Sequence, residues 1–270
     1  MLNPSLVWII AAVTLLLILI RPKKSTEAVW ACSGALLLLL LRLISPRDAL
    51  AAIARGTDVY LFLTGMMLLA ELARREGFFD WLAVAAVRHA KGSATRLFAI
   101  VYGVGTVVTI FLSNDATAVV LTPAVLAAVR KTKAKPLPYL LVCAFIANAA
   151  SFVLPISNPA NLVVYGANLP PLGAWLRSFG LASAVSVFTT FAVLRLCTAE
   201  DLRGKIQTRV IKEPLSPAGR LAAWGIAGAG LVLIAASALH LDLGAPTFAA
   251  AIAVTALVAT ADRAAPLGIL

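Results

Sequence analysis

The chain has 270 residues, of which 61% are hydrophobic and 13% are charged, and its mean hydropathy is +0.95. Soluble domains carry roughly 45–50% apolar and about 25% charged residues, so this composition excludes a soluble enzyme. Several almost uncharged stretches approach the roughly 20 residues that a helix needs to cross a bilayer. The sequence therefore predicts an all-α, polytopic helical membrane protein.

The formal net charge is +11, from 23 Lys and Arg against 12 Asp and Glu. Such an excess would suggest nucleic-acid binding in a soluble domain, but in a membrane protein it is typical of basic cytoplasmic loops. We therefore predict a lipid bilayer as partner and no nucleic acid. The three cysteines are far apart and match neither a disulfide framework nor a metal-binding motif, so no metal and no cofactor are predicted.

The apolar runs follow one another along the whole chain. The first, residues 5–20, has no basic residue before it and no small-residue cleavage site after it, so we interpret it as a retained span and not as a signal peptide. The others, not all of them full crossings, are residues 29–41, 59–72, 97–112, 116–129, 137–151, 162–167, 179–194, 221–239 and 245–261.

Charge placement indicates which runs cross. If residues 97–129 form a hairpin that enters and leaves on one side, and residues 137–167 form one broken helix, 19 of the 23 basic residues lie on the cytoplasmic side. If residues 97–129 crossed the membrane once, only 9 of the 23 basic residues would lie on the cytoplasmic side. A single crossing would also need a helix of about 50 Å. We therefore predict the hairpin, with the N-terminus outside.

The predicted hairpin turns in a polar segment, with Ser113, Asn114, Asp115 and Thr117 between two apolar arms. Such a turn suits either a loop at the outer surface or a re-entrant tip at membrane depth. Arms of only about 16 and 14 residues favour the re-entrant tip. At that depth an ionisable side chain is typical of a solute or proton pathway, which makes Asp115 the candidate for proton coupling. At the outer surface it would be an ordinary solvated charge.

A second polar interruption follows in the next apolar run, where Pro155 and Pro159 remove backbone donors and break the helix. Such a break is tolerated in a membrane only inside protein or beside a water-filled cavity. Two breaks with Ser and Asn side chains predict a binding site for a small polar solute or ion near the midplane. The alternative is hydrogen bonding between packed helices. The candidate binding residues here are Asn148, Ser151, Ser157, Asn158 and Asn161.

The sequence contains no ATP-binding, metalloprotease or serine-hydrolase motif. It therefore does not predict an enzyme. Energy for transport would come from an ion gradient or from a separate ATPase subunit.

Three motifs carry a family resemblance: EGFFDW at residues 76–81, FLSNDATAVVLTP at residues 111–123 and FIANAASFVLPISNPAN at residues 145–161. On these motifs the sequence resembles the ArsB/NhaD branch of the ion-transporter superfamily, and most closely the ArsB-type arsenite efflux permeases. The resemblance covers residues 60–196 and extends over the rest by hydropathy.

The resemblance implies a secondary carrier of two inverted repeats, each with a re-entrant hairpin and a broken helix. Residues 1–196 would form the first repeat, residues 197–220 a cytoplasmic loop, and residues 221–270 the start of a second repeat with two spans and no hairpin. The chain would then be a truncated product, or two chains would complement each other as a homodimer. Since these permeases often carry aspartate where this chain has Asn148, Asp115 remains the candidate for proton coupling.

The function implied is export of arsenite, as arsenous acid, or of antimonite across the bacterial inner membrane, coupled to protons. Two alternatives stay open. A sodium/proton antiporter or anion symporter of the same superfamily would use the same polar groups for Na⁺. A non-transporting membrane fragment would fit the incomplete second repeat.

Overall fold

The computed structural model describes residues 4–207 and 214–264, without the side chains of Lys23, Ala167 and residues 262–264. Arg209 and Lys212, which the charge argument assigns to the cytoplasm, lie outside the described residues, as do the side chain of Arg263 and residues 265–270 at the end of the predicted second repeat.

The described part of the chain is built from helices, which confirms the predicted fold class. Four of them are long and apolar enough to cross a membrane: Ala94–Leu112, Leu172–Cys197, Pro217–Ala238 and Gly244–Ala261. The α-helices are α1 Pro4–Ile20, α2 Glu27–Leu40, α3 Pro46–Arg55, α4 Thr57–Arg75, α5 Phe78–His89, α6 Ala94–Leu112, α7 Thr122–Arg130, α8 Leu137–Ala149, α9 Pro159–Tyr165, α10 Leu172–Cys197, α11 Pro217–Ala238 and α12 Gly244–Ala264.

The described residues up to Thr57 form one compact unit. Its helices α1 and α2 pack closely because α2 presents Gly34 to Thr14 of α1, where a Cβ would lie 2.3 Å from the threonine Oγ1. Helix α3 begins at a Ser45 cap, whose Oγ accepts a hydrogen bond from the Asp48 N–H at 3.1 Å. This amphipathic helix was not among the predicted apolar runs.

The described residues from Asp58 onward form the second unit, in which α6 lies at the centre and packs against α5 and α8. Leu97, Phe98 and Val101 of α6 are buried at helical spacing. The approach of α6 to α8 depends on Gly105, where a Cβ would lie 2.9 Å from a methyl carbon of Ile146. Small residues at such crossings are typical of membrane helix bundles.

Loop contacts at one end of the second unit join segments that the charge argument assigns to the cytoplasm. The Ile206 N–H donates to the Gly92 carbonyl at 2.9 Å, and the Gln207 N–H donates to the Thr132 carbonyl at 3.0 Å. The segment after α10 is therefore fastened to the loops that follow α5 and α7.

Candidate functional site

The chain reverses direction directly after α6. Helix α6 ends at Leu112, and a π-helix at Ala116–Leu121 leads into α7. Thr109 and Thr117 would lie about 12 Å apart along a continuous helix, yet their hydroxyl oxygens are hydrogen-bonded at 2.8 Å and both side chains are buried. Ser113 lies at the apex of this reversal. The depth of the apex in the bilayer stays a prediction.

Backbone strain is concentrated at Ser113, which is 4% exposed and has φ 92° and ψ 161°. Only glycine adopts this region readily, and a residue with a side chain costs about 1–3 kcal/mol there. We expect Ser113→Gly to raise the free energy of unfolding by about 1 kcal/mol, since it relieves strain but adds chain entropy. Thermal unfolding in detergent measures this, and a loss of stability would contradict the strained geometry.

Polar side chains of the break itself cap the next helix and bind the free backbone groups. Helix α8 ends at Ala149, a short 3₁₀ turn occupies Pro155–Ser157, and Asn158 caps α9 by accepting the Ala160 N–H at 2.9 Å. The side-chain amide of Asn161 donates across the break to the carbonyls of Ser151 at 3.1 Å and Pro155 at 3.2 Å. The carbonyls freed by the break thus find partners within the protein.

Replacing Asn161 tests this bridge. Asn161 is 2% exposed, so Asn161→Ala leaves two carbonyls without its amide and is expected to cost about 1–3 kcal/mol of unfolding free energy. Asn148→Ala is the matched control, because exposed Asn148 donates to the Ala144 carbonyl one turn earlier at 3.2 Å and has no other side-chain bond among the described residues. Asn148→Ala is expected to change the free energy of unfolding by no more than about 0.5 kcal/mol. If thermal unfolding shows equal losses of stability in Asn161→Ala and Asn148→Ala, the bridging role of Asn161 is contradicted.

The hydroxyl of Ser157 joins the two breaks. It donates to the Ile110 carbonyl in the last turn of α6 at 3.1 Å and accepts the Leu154 N–H at 3.0 Å. The last four carbonyls of a helix lack partners within it, so this bond satisfies one of them. Ser157 is fully buried. The broken helix is therefore tied to the apex.

The predicted site residues differ in burial. Asn114 is half-buried, and its Oδ1 is buried without a hydrogen-bond partner among the described residues. Asp115 and Asn148 are exposed, and no described contact joins either side chain to another predicted residue. Ser151 donates to the Ala147 carbonyl at 2.6 Å. The buried members are Ser113, Thr117, Ser151, Ser157 and Asn161, and Asn158 is half-buried.

Sequence comparison places this chain among known transporters. The sequence model of the citrate transporter family matches residues 7–265. The chain belongs to the citrate transporter family. Together with the arsenical relatives described next, this match confirms the resemblance drawn from the three motifs.

Several relatives of this chain carry arsenical names. An arsenical pump membrane protein of Escherichia coli is 26% identical over 262 residues, which cover 94% of this chain and 60% of the relative. A candidate arsenical pump membrane protein of Bacillus subtilis is 33% identical over 154 residues, covering 56% of this chain and 35% of the relative. The arsenical pump membrane protein of Escherichia coli strain K12 is 26% identical over 211 residues, which cover 76% of this chain and 48% of the relative. The chain thus spans at most 60% of the length of these relatives.

The two breaks of this citrate transporter family member offer hydrogen-bonding groups without any cationic side chain. Residues 109–117 and 148–161 contain hydroxyls, amides and the carboxylate of Asp115, but no Lys or Arg. Among the described residues, no three His, Cys, Asp or Glu side chains are placed to hold a metal ion. These groups suit a small hydroxylated solute, because hydroxyls and amides both donate and accept.

Two contributors to the site were missed from the sequence. Thr109 lies within the predicted apolar arm, and its hydroxyl one turn before the apex is the sequence feature that could have identified it. Trp175 of α10 is fully buried, donates through Nε1 to the Phe152 carbonyl in the break at 2.9 Å, and stacks on the Phe152 ring. No spacing rule links Trp175 to the break, because the contact depends on how α10 packs.

An apolar cavity of the second unit is separate from the polar groups. It measures about 670 Å³, lies between α5, α6 and α11, and is lined only by apolar residues and a glycine. Phe111 and Leu112 place one end of it beside the apex. Its walls provide no side-chain hydrogen-bonding group for a hydroxylated solute, so the polar breaks remain the candidate site.

Proposed function

We propose that this chain transports arsenous acid out of the cell as part of a proton-coupled secondary carrier in the bacterial inner membrane. The observation that carries the proposal is the bond from Ser157 to the Ile110 carbonyl, which holds the broken helix against the end of α6. Asn114 lies four residues beyond Ile110, and its buried Oδ1 has no described partner.

The substrate fits by charge and by hydrogen bonding. Arsenous acid is uncharged near neutral pH and carries three hydroxyl donors. A buried acceptor without a partner costs about 1–3 kcal/mol, so a hydroxyl donated to Asn114 Oδ1 would recover that cost on binding. Citrate carries several carboxylates, and the two breaks contain no cationic side chain to balance them. The arsenical names of the relatives agree with this choice.

Asp115 supplies the coupling in this proposal. It lies next to Asn114 in the chain and is exposed at the surface of the described unit, where a proton can reach it. A carboxylate at membrane depth is costly when charged, so its protonation would favour one orientation of the hairpin over the other. A cycle of protonation and release would then drive alternating access.

The proposed orientation follows from the charge distribution, with the N-terminus outside. The bonds from Ile206 to Gly92 and from Gln207 to Thr132 support it, since they join segments assigned to the same side. A second copy of the chain or a separate ATPase subunit would be a further partner of the carrier.

Transport is tested in everted membrane vesicles from a host without its own arsenite exporter, with the whole chain expressed and its insertion verified. We expect arsenite and antimonite uptake driven by an acid-inside pH gradient, with uptake abolished by a protonophore. Citrate should not accumulate, and Na⁺ should not replace the proton gradient. Uptake driven by Na⁺ would favour a sodium-coupled carrier, and vesicles with inserted protein but no arsenite uptake would contradict the proposal.

A further inference from the structure

The apolar cavity between α5, α6 and α11 is a groove that opens to the exterior of the second unit. Gly103, Val107, Phe111 and Leu231 line it and are exposed, and the exposed fraction exceeds half for Val107 and Leu231. None of the residues that line it belongs to the proposed arsenite site. This apolar groove is therefore open to a hydrocarbon group that is not the transported solute.

A second cavity adjoins the apolar groove near the start of α11. It measures about 370 Å³, and its lining includes Trp81 and Arg220. Trp81 lies one turn after Phe78 on the same face of α5, and Phe78 lines the apolar groove. Arg220 lies one turn before Ala223 on the same face of α11, and Ala223 also lines the groove. The two cavities therefore follow one another along the same pair of helices.

Arg220 supplies a positive charge at this end of the groove. Its side chain is exposed, and its guanidinium forms no ion pair with any described carboxylate. The acidic residues of the neighbouring turn, Glu76 and Asp80, line neither cavity. A guanidinium presents parallel N–H donors that match the oxygens of a phosphate. Half-buried Trp81 beside it is typical of side chains at the level of lipid headgroups.

The apolar groove has the length of one membrane leaflet. Its lining on α6 extends from Ile100 to Phe111, a rise of about 16 Å along the helix. Half of a hydrocarbon core of ~30 Å is about 15 Å. In the proposed orientation Arg220 lies at the cytoplasmic surface, and Phe111 lies beside the apex of the hairpin. The groove therefore matches the depth of an acyl chain in the inner leaflet.

We propose that the two adjoining cavities bind one anionic phospholipid, with its phosphate at Arg220 and one acyl chain in the apolar groove. The apolar walls match a hydrocarbon chain, and the positive charge selects an anionic headgroup, as in basic pockets between helices on the cytoplasmic side. The chain would end beside Phe111 and Leu112, directly before the strained Ser113. Only the side of the membrane assigned to this lipid rests on the proposed function.

The test is native mass spectrometry of the purified whole chain, stripped of lipid in detergent and titrated with dioleoyl phosphatidylglycerol or dioleoyl phosphatidylcholine. We expect one phosphatidylglycerol to bind about fivefold more tightly than phosphatidylcholine, because its headgroup carries a net negative charge beside Arg220. Glycerol phosphate, which has the phosphate but no acyl chain, should not displace the lipid at equal concentration. Displacement by glycerol phosphate would indicate a phosphate site alone and would overturn the proposal.

Two variants test the two parts of the site separately. Arg220→Gln should abolish the preference for phosphatidylglycerol, whereas Arg130→Gln should keep it, because Arg130 is also exposed but lines neither cavity. Gly103→Leu places a side chain in the apolar groove, where a Cβ meets no atom within 4 Å, and should weaken the binding of both phospholipids about tenfold. Gly228→Leu is its control, since Gly228 is equally open but does not line the groove.

Three results would overturn the proposal. The first is equal affinity of the parent for the two phospholipids, and the second is unchanged binding in both Arg220→Gln and Gly103→Leu. The third is a dimer that forms without lipid and that Gly103→Leu separates, because a second copy would then cover the groove. Arsenite uptake has no part in these readouts, so a failure here leaves the proposed function standing.

Discussion

Ser157→Ala is expected to lower the free energy of unfolding by about 2–4 kcal/mol and to abolish arsenite uptake, because it removes one hydroxyl that serves two backbone groups. Without it, the Ile110 carbonyl and the Leu154 N–H both lose the partner that the fully buried Ser157 supplies. The broken helix would also lose its direct bond to the end of α6. Thermal unfolding in detergent and everted-vesicle uptake measure the two effects.

Ser183→Ala is the matched control for this change. Ser183 is 4% exposed, and its Oγ has no hydrogen-bond partner among the described residues, so the same deletion removes no described bond. We expect it to change stability by less than about 0.5 kcal/mol and to leave uptake intact. Similar losses of stability and uptake in both variants would mean that the hydrogen bonds of Ser157 have no special role in joining the two breaks.

Asp115→Asn is expected to abolish arsenite uptake driven by a pH gradient, because an amide cannot accept the proton that the proposed cycle requires. The fold should tolerate the change, since Asp115 is exposed and makes no described hydrogen bond or ion pair. Arsenite should still bind to purified protein and exchange across vesicles without a gradient. Asp115→Glu, which restores the carboxyl group, should recover part of the driven uptake.

Asp48→Asn is the control for Asp115, since it neutralises another exposed aspartate, near the start of α3. Its driven uptake should equal that of the parent. If Asp115→Asn retains full pH-driven uptake, Asp115 is a solvated charge and has no part in coupling.

Those features of the fold that depend on local chemistry were predictable from the sequence. Polar side chains inserted into apolar runs indicated the reversal at Ser113, and Pro155 and Pro159 indicated the break between α8 and α9. Both follow from the backbone: prolines remove donors, and an interrupted helix needs side chains that satisfy its free groups.

Other features were not predictable, because they depend on packing between distant segments. Nothing in the spacing distinguishes Asn161, which bridges the break, from Asn148, which faces outward and bonds within its own helix. The burial of Trp175 against Phe152 depends likewise on the path of α10. The α3 helix was missed because it is amphipathic and its sequence lacks the apolar run used to recognise spans.

The most direct test of the central claim is the affinity of the purified whole chain for arsenous acid, measured by calorimetry for the parent, Asn114→Leu and Asn148→Leu. If the two breaks form one site around the unpaired Asn114 Oδ1, Asn114→Leu should bind at least about tenfold more weakly, since one hydrogen bond is worth about 1.5 kcal/mol. Asn148→Leu should bind as the parent does, because Asn148 is exposed and bonds to Ala144 within its own helix, and we therefore exclude it from the proposed site. Equal affinity in all three proteins would contradict the account.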